Sequence, residues 1–325
     1  VGQSLNIVYA DSTKGWLPVS DDAVAFDHGA PQTQKGIMAF GQTDANEGAN
    51  ISTSHLISSS GVVADDTTGV GTARRDVGAA SYGGDKAIFG YGIISSVTGI
   101  TNLVNNSGVV AADVSAVGTA RRDVAAVGYG VDLAMFAYGD SGSKTNLKNL
   151  VTNQGVVGAN VTGVGTARGD LAASRYGVGL GIFGYGNTGS KVSITNLVTN
   201  VGVIGTDVSG VGTARQSLAA CTFGGDKAIF GFGKDGSNET SITNLVSNVG
   251  VVAANTTGVG AAREKLGACS FGGDKGIFAF GVDNGGGGRV STSNLVSNSG
   301  VVASDTTGVG SATNRLAAAG YSISA

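Results

Sequence analysis

Few residues of this sequence are suited to acid–base, nucleophilic or metal chemistry. The chain has two histidines, His28 and His55, and two cysteines, Cys221 and Cys269. A zinc site requires about four ligands, and no further ligand set accompanies the histidines. His55 stands where similar stretches carry Asn, which favours a local polar role.

The cysteines stand where similar stretches carry Ala, Val or Ser, so we interpret them as small apolar fillers. A disulfide between them would require two neighbouring strands. The sequence predicts no metal and no other cofactor.

Glycine-rich motifs with a cation, such as "GGDK" and "GVGTAR", raise the question of a phosphate-binding loop. Neither has the spacing G-x-x-x-x-G-K-[ST], and each lies beside a predicted strand rather than before a helix. We interpret these glycines as turn residues. Carboxylates recur in this turn in four of the units, and nothing pairs them as acid and base. They are Asp85, Asp132, Asp226 and Asp274. We therefore predict that the protein is not an enzyme.

Composition limits the classes of partner. Of 325 residues, 41% are hydrophobic and 13% are charged, with a formal net charge of −3. This hydrophobic content is sufficient for a core and excludes a solvated, disordered chain. Without a basic stripe, nucleic acid is not an expected partner. No apolar run approaches the roughly 18 residues of a membrane-spanning helix, so membrane insertion is not expected either.

The sequence contains an internal repeat, and its clearest marker is an arginine. Arg74, Arg121, Arg168, Arg215 and Arg263 follow one another at steps of 47, 47, 47 and 48 residues, and Thr313 takes the corresponding later position. A period of this length is typical of repeat architectures. These arginines could form an anion-binding ring or donate structural hydrogen bonds between units. We favour the structural role because the planar guanidinium makes several directed bonds, with Asp65, Asp113, Asp207 and Asp305 as candidate acceptors.

Each unit contains four short segments with the composition of β-strands. Their patterns are "LAAAG", "KAIFGYG", "TNLVSN" and "GVVA", and Gly, Asn, Asp or Ser bounds each one. Four strands in about 47 residues indicate a propeller blade. Large Phe and Tyr residues alternate with Gly, so we expect aromatic rings of one sheet to pack into glycine hollows of the next.

The order of these segments indicates how the chain closes. The second, third and fourth segments each occur six times from Ile37 onward, whereas the first begins only at Val77 and ends with Leu316. We therefore predict an all-β, six-bladed propeller of four-stranded blades, closed by a C-terminal strand at about 315–324 in the blade formed by 35–70. Seven blades, with "DAVAF" as an extra strand, is the alternative. Residues 1–30 form an N-terminal attachment hairpin or linker, and 31–325 form the propeller.

Two resemblances follow from these motifs. The string "TARQSLAACTFGGDKAIFGFG" resembles a Kelch repeat, which runs from an Arg through a small-residue strand and a Gly turn into a hydrophobic strand ending in glycines. The N-terminal "SLNIVYADSTKGWLPVSDD" resembles a short module in virion and tail-fibre-like proteins of marine bacteriophages, and "TNLVSNSGVVASDTTGVGSA" is similar to their repeats. This resemblance implies a virion component located outside the cell.

Candidate binding residues lie where the units differ. The second-to-third-strand connections vary in length and content, and strand alternation places them at the same end as the "TTGVGTAR" connections. Variable loops on a constant scaffold are typical of recognition surfaces. The candidates are Lys144, Lys191, Lys234, Asp235, Asn238, Asp283 and Arg289.

The expected function is a non-enzymatic virion structural or adhesion protein. Its partners would be other virion proteins, or a glycan or protein of the host surface, and a homo-oligomer is compatible with this function. A glycan-binding propeller is the alternative. Repeated pockets of polar and aromatic residues would favour it, and Tyr91, Tyr138, Tyr185, Phe232 and Phe280 are the recurring aromatic residues.

Overall fold

The structure, a computed structural model, describes residues 7–11, 15–18, 32–43, 48–283 and 288–325. Strands are numbered in chain order. The first two, β1 (Ile7–Asp11) and β2 (Gly15–Pro18), pair antiparallel as a hairpin, as the sequence predicts. The segment "DAVAF" (23–27) and His28 lie outside the described residues, so the structure does not address the seven-blade alternative.

The described chain is all-β, and most of its strands belong to six three-stranded antiparallel sheets. Each sheet has a first, a second and a third strand, with the second in the middle. Sheet I contains β25 (Ala317–Tyr321), β3 (Lys35–Ala39) and β4 (Ser54–Ile57). Sheet II contains β5 (Gly78–Tyr82), β6 (Lys86–Gly90) and β7 (Thr101–Val104). Sheet III contains β8 (Ala125–Tyr129), β9 (Leu133–Ala137) and β10 (Lys148–Val151).

The remaining sheets repeat this order. Sheet IV contains β11 (Ala172–Tyr176), β12 (Leu180–Gly184) and β13 (Thr195–Val198). Sheet V contains β15 (Ala219–Phe223), β16 (Lys227–Gly231) and β19 (Thr243–Val246). Sheet VI contains β20 (Gly267–Phe271), β21 (Lys275–Ala279) and β24 (Ser293–Val296). Two-residue strands form two ribbons: β14 (Arg215–Gln216), β17 (Lys234–Asp235) and β18 (Asn238–Glu239), and β22 (Val282–Asp283) with β23 (Gly288–Arg289).

The prediction of a fourth strand in each unit is wrong. In the first unit, the "GVVA" segment pairs with β4 through two isolated bridges, Val63 with Ile57 and Thr67 with Ser54. Four residue steps separate the bridged residues on one side and three on the other, so one extra residue interrupts the ladder. Equivalent bridges recur in the other five units. The outer segment therefore covers the third strand without becoming a regular strand.

Aromatic rings of one sheet pack against glycines of its neighbour, as the alternation of Phe and Gly predicts. A Cβ atom placed on Gly184 would lie 2.7 Å from Cζ of Phe230, and one on Gly231 would lie 2.7 Å from Cζ of Phe278. Gly90 and Phe136 repeat the arrangement. Because both Phe rings and their surroundings are fully buried, even one methyl group would overpack these contacts.

Contacts between sheets follow the order of the chain. The first strands contact one another in the pairs β5 with β8, β8 with β11, β11 with β15, β15 with β20, β20 with β25, and β25 with β5. The C-terminal β25 pairs antiparallel with β3, from Ala317 opposite Ala39 to Tyr321 opposite Lys35. Sheet I thus combines both ends of the repeat region, as the offset of the segments predicts.

Hydrogen bonds also link the turns between first and second strands. The N–H of Gly83 donates to the carbonyl of Asp132 at 2.7 Å, and that of Gly130 donates to Gly179 at 2.8 Å. The same type of bond continues through sheets IV, V and VI, where Gly272 donates to Gln34 at 2.9 Å, and Ser322 donates to Asp85 at 2.8 Å. Each sheet is therefore fixed to the next one at this end, which we name the turn end.

Candidate binding face

At the opposite end, six residues with left-handed backbone conformation precede the first strands. Their φ angles lie between 54° and 56°. We name them the left-handed ring: Asp76, Asp123, Asp170, Ser217, Lys265 and Arg315. They line one cavity together with the Val or Leu that follows each of them. Backbone hydrogen bonds join five of the six neighbouring pairs, for example from the N–H of Lys265 to the carbonyl of Ser217 at 2.8 Å. Non-glycine residues in this conformation each cost about 1–3 kcal/mol, so the surrounding packing must impose it.

The ring is electrostatically uneven. Three consecutive members are Asp, whereas Lys265 and Arg315 carry positive charge. The guanidinium of Arg315 lies 2.9 Å from the carboxylate of Asp76. Burial, together with the charges of Asp170 and Asp76, raises the pKa of Asp123 to about 8. Burial likewise raises the pKa of Asp170. Asp123 therefore holds at neutral pH a proton that an exposed carboxyl group would have released.

The variable loops lie at this same end. The residue after each repeat Arg pairs antiparallel with the loop that leaves the second strand, through an isolated bridge in four units, such as Arg75 with Ile93, and through β14 and β17 in the fifth. The prediction that these two connections share one end is therefore confirmed. We name the left-handed ring and the loops around it the rim face.

The predicted lysines are distributed among three loops of the rim face. Lys144 Nζ lies 3.0 Å from Asp140 Oδ2, within its own loop. Lys191 donates to the carbonyl of Gly236, which lies in the next loop. Lys234 Nζ lies 3.4 Å from Glu239 and 3.7 Å from Glu264. Internal ion pairs thus engage two of the three ammonium groups.

The other predicted binding residues lie in the short ribbons. Asp235 and Asn238 are in β17 and β18, where they pair with each other, and Asp283 and Arg289 are in β22 and β23. Arg289 Nε donates to Asn314 at 2.9 Å, and its Nη2 donates to Gln42 at 3.1 Å. The structure brings all seven residues to one face, but their role in binding stays a prediction.

The five repeat arginines are fully buried between sheets. In Arg121, Nε donates to the carbonyl of Tyr138 at 2.8 Å, Nη1 to that of Thr119 at 3.0 Å, and Nη2 to Asn149 Oδ1 at 2.7 Å. The guanidinium also stacks on Tyr91 of the preceding sheet, 4.3 Å from the ring centroid. Arg74, Arg168, Arg215 and Arg263 stack in the same way. Each arginine therefore fastens two sheets together, and its guanidinium is not exposed to a ligand.

The main side-chain partner of these arginines is an amide rather than a carboxylate. The Asn of the third strand accepts from Nη2 in four units, at Asn102, Asn149, Asn196 and Asn294. The carboxylates are more distant, with 4.0 Å from Arg74 to Asp113 and 3.7 Å from Arg263 to Asp305. Sequence reasoning identified the recurring Asn but did not connect it with Arg, because 28 residues separate Arg121 from Asn149.

The carboxylates instead close loops of the preceding unit. Asp113 accepts from both the backbone N–H and the hydroxyl of Thr72, at 3.1 and 2.5 Å. Asp66, not Asp65, holds this position in the first unit, since it accepts from the N–H and hydroxyl of Ser311. The prediction that Asp65 is the recurring carboxylate of the first unit is therefore wrong by one residue.

The recurring aromatic residues are packing residues. Phe40, Tyr91, Tyr138, Tyr185, Phe232 and Phe280 are at most 1% exposed. The Tyr138 hydroxyl donates to the carbonyl of Val164 at 3.0 Å, and its ring lies edge-on to Phe183 at 5.3 Å. Because carbohydrate stacking requires an exposed ring, this set offers no surface to a sugar.

The contact between sheets VI and I departs from the repeated arrangement. Thr313 replaces Arg, and His55 replaces Asn. The imidazole of His55 stacks on Phe280, with 4.5 Å between ring centroids, so it occupies the side of the ring where a guanidinium would otherwise lie. Its Nδ1 lies 3.3 Å from Asp66 Oδ1. Neither imidazole nitrogen has a hydrogen-bond partner among the described residues, and burial lowers the pKa of His55.

Both cysteines are free and buried. A Cβ atom on Gly276 would lie 2.5 Å from Cys221 Sγ, and one on Gly36 would lie 2.5 Å from Cys269 Sγ. Each thiol thus fills a glycine hollow of the next sheet, which fits the interpretation as small fillers. Burial raises the pKa of Cys221 to about 12 and keeps the thiol protonated.

Among the described residues, no group of three or more His, Cys, Asp or Glu side chains is placed to hold a metal ion. No helix in the same residues is long and apolar enough to cross a membrane.

No protein-family model matches the sequence, and no curated protein is similar to it. The resemblances to Kelch repeats and to phage virion proteins therefore stay predictions.

Proposed function

We propose that the six sheets are the blades of a closed six-bladed propeller. The contacts of β25 with both β20 and β5 support this arrangement, because they place the first strand of sheet I between the first strands of sheets VI and II. The hydrogen bonds from Gly272 to Gln34 and from Ser322 to Asp85 support it at the turn end. In this arrangement each blade has three regular strands and an outer bridged segment.

We further propose that the protein is a non-enzymatic binding platform of a bacteriophage virion. This proposal rests on one observation, that the buried contacts between sheets are the same in most units whereas the loops of the rim face differ. The same buried Arg recurs in five units with the same stacking on an aromatic ring, whereas the loops at one end differ. A rigid frame with one variable face is suited to holding a partner. The virion location rests on the resemblance of the N-terminal segment and the repeats.

The partner would contact the rim face, either another virion protein or a component of the host surface. The exposed loop tips there are short and polar, as in Ser141, Gly142 and Ser143. Such tips can change without disturbing the buried arginines. The glycan-binding alternative loses its repeated aromatic set, because those rings are buried.

The virion assignment is tested with antibodies against the purified chain. We expect immunogold labels on intact phage particles, because a structural platform remains bound to the virion. Label found only in particle-free fractions would contradict the assignment. On a glycan array, the purified chain should show no selective, saturable signal, whereas such a signal would support the glycan-binding alternative instead.

The role of the rim face is tested by changing the charge at two of its positions, the half-buried Lys191 and the exposed Asn238. We expect Lys191→Glu with Asn238→Lys to abolish incorporation of the chain into particles. The matched control, Lys227→Glu with Asn248→Lys, makes the same two types of substitution at the turn end, at a partly exposed lysine and an exposed asparagine, and should leave incorporation unchanged. Equal incorporation of both variants, each with unchanged thermal stability, would overturn the assignment of the rim face.

A further inference from the structure

A single arginine interrupts the pattern of the first strands. Arg175 lies in β11 opposite Gly181, and the corresponding positions in the other five first strands carry small residues. These are Ser81, Gly128, Thr222, Ser270 and Gly320. Unlike the repeat arginines, Arg175 has no counterpart in any other unit. Its charge therefore is not explained by the repeated contacts between sheets.

Arg175 lines a cavity formed by residues of all six first strands, which we name the first-strand cavity. The cavity has a volume of about 80 Å³, which is room for several waters or one small anion. It extends to the turn end, where Gly84, Val131 and Asp132 form part of its wall. It is separate from the rim face, because the left-handed ring lies at the other end of the same strands.

Neighbouring residues make room for this side chain. A Cβ atom on Gly128 would lie 3.2 Å from Arg175 Cδ and 3.5 Å from its Nη1. On the other side, the Thr222 hydroxyl donates to the Arg175 carbonyl at 3.2 Å. The glycine thus leaves the guanidinium inside the cavity rather than displacing it.

The guanidinium has little compensation from the protein. Its Nη2 donates to the carbonyl of Gly130 at 2.9 Å, the only acceptor it has among the described residues. Since a guanidinium has five N–H donors, four are left for a ligand or for water. No described carboxylate lies within 4.0 Å of it, in contrast to Arg74, Arg263 and Arg315. Burial lowers the pKa of Arg175 to about 10, so the group remains charged at neutral pH.

Hydroxyl groups supply further donors in the same cavity. Thr33 and Ser270 share one hydrogen bond of 3.1 Å between their oxygens, which leaves one of the two hydroxyl hydrogens for another acceptor. The hydroxyl of Ser81 is not a free donor, because its one hydrogen is already donated to the carbonyl of Gly320 at 2.7 Å. Arg175 is half-buried, so its guanidinium is only partly hydrated, and a bound anion would be stabilised by charge-assisted hydrogen bonds.

We propose that the first-strand cavity binds one small oxyanion, an inorganic oxyanion or a short carboxylate, through the guanidinium of Arg175. An oxyanion with two oxygens available to parallel N–H donors matches the free donors of the side chain. The volume of the cavity restricts the ligand to a few heavy atoms. This site is independent of the proposed function, since it involves neither the rim face nor the location of the protein.

The proposal is tested by titrating the purified chain with sodium sulfate and, separately, sodium acetate, at ionic strength held constant with sodium chloride. We expect a saturable rise in Tm and a calorimetric stoichiometry of one with at least one of the two salts. In Arg175→Ser, which takes the residue of the equivalent position in β5, the affinity should fall about tenfold or more.

A second variant and a direct observation complete the test. Arg175→Lys keeps the charge but not the planar fork, and should bind more weakly than the wild type but more tightly than Arg175→Ser. In crystals soaked with selenate, the anomalous signal should lie beside the Arg175 guanidinium. The proposal is overturned by the absence of saturable binding with either salt, by equal binding in a folded Arg175→Ser, or by selenate located only elsewhere.

Discussion

At the scale of single residues, the repeat arginines show how a charged group can be a core residue. Each nitrogen of the Arg121 guanidinium donates one hydrogen bond inside the protein, and the flat face of the group covers an aromatic ring. Burial still lowers the pKa of Arg121, but the group remains charged. The arrangement combines directed hydrogen bonds with a cation–π contact, which only the planar guanidinium can supply together.

The first prediction concerns the guanidinium of Arg121. We expect Arg121→Lys to lower the free energy of unfolding by roughly 3 kcal/mol, because an ammonium cannot reach all three acceptors and leaves buried carbonyl oxygens unpaired. Urea denaturation gives the difference. Arg122→Lys is the matched control, since that side chain is 39% exposed, and a change below about 0.5 kcal/mol is expected there. Equal effects of the two substitutions would contradict the structural role of Arg121.

The second prediction concerns the buried imidazole of His55. Its pKa in the folded state is lowered from 6.5 by burial, although Asp66 and Asp65 oppose the shift. The folded protein therefore binds this proton more weakly than the unfolded chain, and the stability that neutral His55 provides is present above pH 6.5 and lost as pH falls below it. We expect Tm to fall more steeply between pH 7 and 5 in the wild type than in His55→Asn.

The wild type must be compared with His55→Asn because protonation of other groups affects stability in the opposite direction. Asp123, with its pKa raised to about 8, binds its proton more tightly in the folded state, so this group favours the folded state as pH falls below 8. That contribution is common to both proteins and cancels in the difference. If Tm falls equally between pH 7 and 5 in the wild type and in His55→Asn, His55 does not cause the loss of stability in acid.

At the scale of elements, sheets are joined by a repeated set of one Arg, one aromatic ring and one Asn. The contact of sheet VI with sheet I is the exception, with Thr313 and His55 in place of Arg and Asn. The imidazole stacks on Phe280 but leaves both its nitrogens without a hydrogen bond to the described residues. This contact therefore has fewer directed bonds than the five others.

The third prediction restores the repeated set at this contact. Thr313→Arg alone should destabilise the protein, because the His55 ring already occupies the face of Phe280. Combined with His55→Asn, the introduced guanidinium can stack on Phe280 and donate to the introduced amide. We expect a favourable coupling of about 1–3 kcal/mol in a double-mutant cycle measured by urea denaturation. Effects that add within about 0.5 kcal/mol would indicate that the two positions do not cooperate.

At the scale of the whole molecule, the C-terminal strand joins the two ends of the repeat region. Ala319 and Tyr321 of β25 are buried in one cluster with Ile37 and Phe89, from sheets I and II. Without β25, the middle strand β3 would become an exposed edge. The order of contacts among the first strands would also lose its link between β20 and β5.

The fourth prediction removes this strand. We expect deletion of residues 317–325 to abolish cooperative thermal unfolding, because it removes the β3 ladder and buried apolar surface at once. Deletion of residues 323–325 is the matched control, since Ile323 is 50% exposed and these residues lie beyond β25. The control should keep the wild-type Tm within a few degrees. Retention of a cooperative transition by the longer deletion would contradict the closed arrangement.

The amino-acid sequence by itself determined the all-β class, the positions of three strands in each unit and the pairing of the two ends of the repeat region. These depend on local preferences and on the offset of the repeat, which are visible without coordinates. The sequence failed at the "GVVA" segment, because an extra residue in the pairing with the third strand cannot be seen from composition.

Tertiary structure alone decided which side chains meet. The partner of Arg121 is 28 residues away in Asn149, and its aromatic support is Tyr91 of another sheet. The left-handed ring brings together residues from six units, and the first-strand cavity surrounds Arg175 with walls from all six first strands. Local propensity cannot specify such contacts, because they arise only when packing between distant segments fixes each sheet relative to the next.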